Sequence, residues 1–425
     1  MARILVVGGS LGGLMAANLL LRAGHAVTVL ERSPRSLQGR GAGIVTHEGL
    51  RATLRAAGAV VDETLGVPVA ERVVLGPDGQ TLCRWAHPQI LTSWGRLYTL
   101  LNEALPAEHH RLGAAVEAVT AQADSVQVQL AGGETLEADL LIAADGIRST
   151  VRQQWLPEVK PLYAGYVAWR GVCDEAVLSR HTRETLFPHF GFGLPAGEQM
   201  IGYPVAGDHG AQGNSTAVGQ RRWNFVWYRP APTPAELQAL LTDADGVHHA
   251  EGIPPQLVSW RHIAAMRQAA REKLAPQFAE IVEKTAQPFL QPIYDLVSPQ
   301  LAHGRIALMG DAAFVARPHV GMGVAKAGDD AAALAACIAR HGATPEALRH
   351  YEAERHASAA AVVQRARLLG APLALPPGSA PPYRDPRGPM QQTAIDPALF
   401  DTYPPKRWPP EEARLFLSTR RRQAR

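Results

Sequence analysis

Two glycine-rich turns, far apart in the chain, are built to hold an anion. In Val6-Val7-Gly8-Gly9-Ser10-Leu11-Gly12-Gly13 an apolar run breaks into small residues. Gly8 permits the tight turn that leaves a strand. Gly12 and Gly13 then open a helix whose free N–H groups and positive dipole end suit a pyrophosphate. Ser10 stands where the usual pattern has its middle glycine. Glu31 closes a second apolar run, where a carboxylate can accept hydrogen bonds from an adenosine ribose, and Arg32 follows it. The second turn begins at Asp311, at the end of another apolar run, and continues through Pro318, Gly321, Met322 and Gly323 into a helix. Either two nucleotides or one long cofactor would use both turns.

Three stretches between them have matching chemistry. Gly39-Arg40-Gly41 opens a glycine-rich loop, Arg96 starts a helix, and Asp145-Gly146 ends a strand before Ser149, a candidate helix cap. Taken singly, each reads equally well as a loop, a surface charge or a turn.

The elements that must position these residues follow from periodicity. Apolar runs flank the helical spacing of Leu11–Gly24, so strand, helix and strand form a βαβ unit and a parallel sheet. Helical spacing recurs after His47 and after Gly95, and Val116–Gly146 reads as a meander feeding another strand. From about Tyr163 to Tyr228 short aromatic runs predict an antiparallel sheet. Helices are expected between Pro234 and Lys284 and from Val324 to Leu369, then a Pro-rich arm and a short arginine-rich helix. The expected fold is α/β. A Rossmann-like, discontinuous cofactor domain (1–160 and 290–372) joins an antiparallel-sheet substrate domain (161–289), with 373–425 as the arm.

The 425 residues carry a net charge of only +3 with basic residues scattered, which excludes nucleic acid as a partner. No apolar run is long enough to span a membrane, and the chain opens directly into a strand with no signal peptide, so a cytoplasmic protein is expected. Cys83, Cys173 and Cys337 make neither a disulfide framework nor a metal motif, and no metal is expected.

In order and spacing these motifs resemble the group A flavoprotein monooxygenases, single-component aromatic hydroxylases of the para-hydroxybenzoate hydroxylase fold, over about residues 1–370. The resemblance rests on Gly8, Gly13 and Glu31, on Asp145-Gly146, and on Gly310-Asp311 with Pro318, Gly321 and Gly323. It implies one tightly bound FAD spanning both turns, with transient NADH or NADPH (NADH favoured). Phe314 and Ala325 stand where the family often has His and Asn, positions that tune flavin contacts. Within the family, Gly39–Val45, "YVAWRGV", "IGYPV", "FVWY" and "ARPHVGMGVAKA" look like the 2,6-dihydroxypyridine 3-hydroxylase subgroup.

The resemblance further implies reduction of FAD by NAD(P)H, a flavin C4a-hydroperoxide formed with O2, and hydroxylation of a small electron-rich aromatic or N-heteroaromatic ring. Candidate groups to activate the substrate are His47, Tyr203 and His319, each of which also reads as a cap, a sheet aromatic or loop packing. Trp169, Arg170, Trp223, Phe225 and Trp227 are candidate pocket residues. The alternation of 223, 225 and 227 puts those three on one face, as core or as pocket wall. Expected partners are the small aromatic substrate and O2, with a homodimer open. Other readings are a related flavin epoxidase or reductase on a larger lipophilic substrate, a nicotinamide-only dehydrogenase, and a flavin-carrying scaffold.

Overall fold

The computed structural model describes residues 1–37, 43–208, 214–375 and 385–405. Arg40, Gly41 and the arginine-rich end of the chain lie outside these residues.

β1 (Arg3–Val7), α1 (Leu11–Arg22) and β2 (Ala26–Glu31) form the expected βαβ unit, with Ile4 beside Val27 in parallel register. The strands are apolar because the sheet lies inside one core, shared with side chains of α1 and with Val126, Val128 and Leu130. Gly24, at φ +86°, ends α1 in the left-handed conformation that helix ends favour. Next come β3 (Gly43–Val45), α2 (Glu48–Ala56), β4 (Val67–Leu75), β5 (Thr81–Ser93) and α3 (Trp94–Ala104). β6 (His110–Leu112) pairs with β2. β7 (Val116–Ala121), β8 (Val126–Leu130) and β9 (Thr135–Ala138) form the meander, and β10 (Leu140–Ala143) lies parallel to β1. α4 (Thr150–Trp155) follows, its N-terminus capped by the Ser149 hydroxyl.

The middle of the chain supplies β11 (Leu162–Asp174), α5 (Arg180–Leu186), β12 (His189–Gly193), β13 (Gln199–Val205), the short β14 (Gly207–Asp208) and β15 (Asn214–Ser215), and β16 (Arg222–Pro230). α6 (Pro234–Leu240), α7 (Trp260–Lys273) and α8 (Pro276–Lys284) come next. β17 (Phe289–Val297), β18 (Ala302–His303), β19 (Ile306–Leu308) and β20 (Phe314–Val315) precede the long helices α9 (Gly323–His341) and α10 (Pro345–Gly370), separated at Gly342. α11 (Arg387–Gln392) lies in the arm.

Among the described residues a six-stranded sheet runs β18-β19-β10-β1-β2-β6, and a nine-stranded sheet runs β20-β17-β11-β16-β13-β12-β4-β5-β3. The α/β class with a parallel sheet, joined at one edge by antiparallel β18, and a second, largely antiparallel one is therefore present. The larger sheet is mixed, because β4 and β12 pair in parallel. It also takes β3, β4 and β5 from the amino-terminal part of the chain, so by hydrogen bonding the substrate-side layer begins well before residue 161. One core surrounds the parallel sheet, and two others fill the opposite faces of the large sheet. Side chains such as Leu14, Met15 and Leu334 are fully buried, each worth about 1.5–3 kcal/mol. Among the described residues no helix is long and apolar enough to cross a membrane.

Candidate functional site

The first turn leaves no room for side chains. Gly8 has φ +103°, and a Cβ there would lie 2.5 Å from the Ala144 carbonyl oxygen; one at Gly13 would lie 1.9 Å from the Gly8 oxygen. The end of β1 is thus pressed flat against the end of β10. Ser10, the residue before α1, makes no side-chain cap, so the first N–H groups of α1 face outward unclaimed by a side chain. Glu31 is buried and accepts hydrogen bonds from the Gly9 N–H at 2.9 Å and the Ser33 N–H at 2.8 Å. Its carboxylate pins the turn and keeps lone pairs for a ribose hydroxyl. Arg32 is exposed. His110 stands over Gly9, where a Cβ would come within 2.6 Å of Nε2, and that nitrogen has no partner among the described residues. No local signal in the sequence marks His110.

Arg96, at the start of α3, donates from Nη2 to the Thr64 hydroxyl at 2.6 Å, while its buried Nε has no partner among the described residues. Asp145 lies two residues past β10 with Oδ1 unpartnered among the described residues, and burial pushes its carboxyl up. Arg152, fully buried, donates to the Ala312 carbonyl at 2.7 Å and so ties this loop to the second glycine-rich turn.

That turn follows β19. Gly310 has φ +58°, and its N–H donates to Asp330 Oδ2 at 3.0 Å; Asp330 also accepts from Arg355 at 2.9 Å and lies 3.7 Å from the buried Lys326 ammonium. Asp311 sits on a cleft floor, densely walled by protein yet open to solvent, and the wall pushes its carboxyl up. Pro318 is half-buried, Gly321 adopts φ +65°, and Met322 precedes α9 without a side-chain cap. Gly323 begins the helix. A Cβ on Gly12 would be 3.3 Å from that of Ala327, so α1 and α9 lie side by side and the two distant turns become neighbours. Uncapped helix starts, bare glycines and the unpartnered oxygen of Asp145 suit an extended dinucleotide such as FAD. An open groove of about 430 Å³ lined by Arg3, Ala26, His109 and Glu137 lies at the amino ends of β1 and β2. Ligands of such sheets bind at the carboxyl ends, so that groove is a separate feature.

The substrate side corrects several expectations. Trp223, Phe225 and Trp227 do share a face, but it packs under α5, α7 and α8 together with Trp169, with Trp223 5.3 Å from Phe187. All four belong to the core away from the cleft, because both faces of this sheet are covered and alternation cannot say which one meets the site. The opposite face carries Tyr166, Ala168, Tyr203, Val226 and Tyr228, in one cluster with Val45 of β3 and Ala394 of the arm. Of the expected pocket residues only Arg170 shares this side. It donates to Gln291 at 2.8 Å, and among the described residues no carboxylate pairs with it.

Tyr203 is buried under Gly43, where a Cβ would touch its ring at 2.4 Å, and burial pushes its phenol up. Its hydroxyl has no partner among the described residues. Asn224, beside it, accepts from the Gly43 N–H at 2.8 Å. His319 is fully buried. Its Nε2 accepts from the Tyr166 hydroxyl at 2.8 Å, its Nδ1 meets Gln199 Oε1 at 3.2 Å, and burial lowers its pKa to about 3. With both nitrogens engaged it has no face for a substrate, which corrects its expected catalytic placement. His47 is buried and held neutral. Its Nε2 lies 3.3 Å from the Gly321 carbonyl and its Nδ1 4.0 Å from Asp396 of the arm. A carbonyl only accepts, so Nε2 carries the proton and Nδ1 the lone pair.

Comparison with known proteins gives matches over most of the chain. The family described as FAD binding domain matches residues 1–160 and 254–366, and FAD binding domain-like matches 163–295. The 2,6-dihydroxypyridine 3-monooxygenase of Paenarthrobacter nicotinovorans is 33% identical over 339 residues, covering 78% of this chain and 82% of its own. The 3-amino-4-hydroxybenzoate 2-monooxygenase of Streptomyces cremeus is 32% identical over 402 residues, covering 91% of each chain. The structure of 2,6-dihydroxypyridine-3-hydroxylase from Arthrobacter nicotinovorans superposes with a TM-score of 0.81 at 29% identity, over 91% of this chain and 98% of that one.

Proposed function

Since the chain belongs to the FAD-binding monooxygenases, the group A flavoprotein hydroxylases, we propose that its site hydroxylates a small, electron-rich ring of the 2,6-dihydroxypyridine kind. It is a flavoprotein aromatic monooxygenase with FAD as cofactor, and NAD(P)H is the reductant typical of such enzymes. Its substrates are a small molecule and O2. When bound, FAD supplies the activated oxygen, and the protein must hold it, orient the ring and exclude water.

The assignment of cofactor residues is supported by the cradle at both turns. The start of α1 would take the pyrophosphate, Glu31 the adenosine ribose and Asp311 a ribitol hydroxyl, while the start of α9 would direct its positive end at the pyrimidine edge of the flavin.

One observation carries the substrate class. The site-facing side of the large sheet is filled by rings (Tyr166, Phe190, Phe192) and leaves polar tips at Tyr203, Arg170 and Tyr228, whose hydroxyl has no partner among the described residues. Such a wall accepts a flat, compact ring with an anionic oxygen better than a long lipophilic chain. Tyr203 stays protonated at neutral pH and donates to that oxygen, whereas Arg170 balances its charge. His47 Nδ1, with a free lone pair, is the group suited to accept a proton. None of these acts by itself as the oxidant.

The test is product analysis with NADH, 18O2 and 2,6-dihydroxypyridine. A ring carrying one 18O per NADH consumed is expected. Peroxide without any hydroxylated ring, across hydroxypyridines and hydroxybenzoates alike, would contradict the reading.

A further inference from the structure

We propose that Arg72 is a positioning residue: by gripping the carbonyls of Met390, Thr393 and Ala394 it seats the C-terminal arm against the His319–Gly321 turn, so that the arm forms one wall of the active site. The proposal rests on the flavin reading of that turn.

Arg72 lies in β4 and is wholly buried, and no carboxylate pairs with it among the described residues. A lone guanidinium out of water is costly unless every N–H is used. All five are. Nε and Nη2 donate to Gln89 Oε1 at 2.9 and 2.7 Å, Nη2 to the Ala394 oxygen at 2.7 Å, and Nη1 to the oxygens of Met390 and Thr393 at 2.8 and 2.6 Å. The Phe190 ring lies 4.7 Å beneath the guanidinium. The cation thus takes the place of the β-ladder that this segment lacks. From the other layer, Arg365 of α10 donates to the oxygens of Gln392, Phe400 and Tyr403. Two arginines, one on each structural layer, hold the same strap.

The strap is held in an uncomfortable shape. Among the described residues Ala394 alone, apart from glycines, has positive φ, at +50°. L side chains avoid this region, and they persist there where surrounding contacts over-determine them. Those contacts are with the flavin turn. The Ala394 N–H donates to the His319 oxygen at 2.8 Å, and a Cβ on Gly321 would be 2.6 Å from that of Ala394. Gln199 bridges Thr393 Oγ1 and His319, each at 3.2 Å. Asp396 faces His47, which itself contacts Gly321. Every link ends at His319 or Gly321, two to four residues before the uncapped start of α9. Loosening the strap would free the Gly321 turn and admit water to the site.

The experiment compares full-length wild type with Arg72→Lys, which keeps the charge and loses the fork. Hydrogen exchange of the peptide around Ala394 reads the seat, and the visible spectrum of bound flavin and the fraction of NADH released as peroxide read the site. The expected result is at least tenfold faster exchange at Ala394, full flavin content with a shifted spectrum, and a several-fold larger peroxide fraction. Arg365→Lys, which loosens the same strap from α10, should give the same signature and serves where Arg72→Lys does not fold. Unchanged exchange, or faster exchange with unaltered spectrum and coupling, would overturn the proposal. The exchange readout needs no flavin, so a wild-type protein without flavin would refute the functional reading and leave Arg72's hold on the arm to be decided separately.

Discussion

A phenol that burial keeps protonated is a donor, and Tyr203 is such a phenol on the site-facing sheet. Tyr203→Phe retains the ring packing and removes only the hydroxyl. The expected outcome is kcat/KM lower by roughly 10- to 100-fold, about 1.4–3 kcal/mol, with flavin content unchanged. Equal kcat/KM in the two proteins would exclude the donor role. His319 shows the opposite use of a titratable group. Its folded pKa of about 3 lies below the ordinary 6.5, so the unfolded chain binds its proton first as pH falls. Stability from this group is complete above about pH 6.5 and declines toward pH 3, by up to about 1.4 kcal/mol per pH unit. His319→Gln should flatten that acid limb in a series of denaturant midpoints, and an unchanged limb would contradict the assignment. The residue types at both positions were legible in the sequence, but burial separates donor from packing residue and is a property of the assembled layers.

At the scale of elements, the βαβ unit and the helices after Gly323 could be read directly, because their strands are apolar throughout and their helices carry recognisable starts and stops. The face of the large sheet could not. Alternation shows that Trp223, Phe225 and Trp227 point one way, yet helices cover that side and the aromatic cluster of Tyr166, Tyr203 and Tyr228 covers the other. The arm itself was expected from its Pro and Gly, but its seat was not, since a segment held by the side chains of Arg72 and Arg365 has no period of its own. The cradle yields a prediction for an element. In Gly13→Ala the new methyl would meet the Gly8 carbonyl at 1.9 Å, displacing α1 from β1. The purified variant should contain less than a tenth of the flavin of the wild type, and full flavin content would show that the turn is not the cofactor's seat.

The whole molecule brings sites from both ends of the chain together. α1 and α9 are adjacent, Arg152 joins the middle loop to the second turn, and Asp295 of the large sheet pairs with Arg317 of that turn and Arg367 of α10 at 2.8 and 2.6 Å. The proposed placement of one cofactor across both layers would account for why turns so distant in sequence lie side by side. The reading that a small ring then controls its own oxidation is tested most directly by anaerobic stopped-flow absorbance of the purified protein mixed with NADH, with and without 2,6-dihydroxypyridine and a set of hydroxybenzoates. Bound flavin is expected to bleach at least tenfold faster with one of these rings than without. Bleaching at one rate whatever ring is present would contradict that reading.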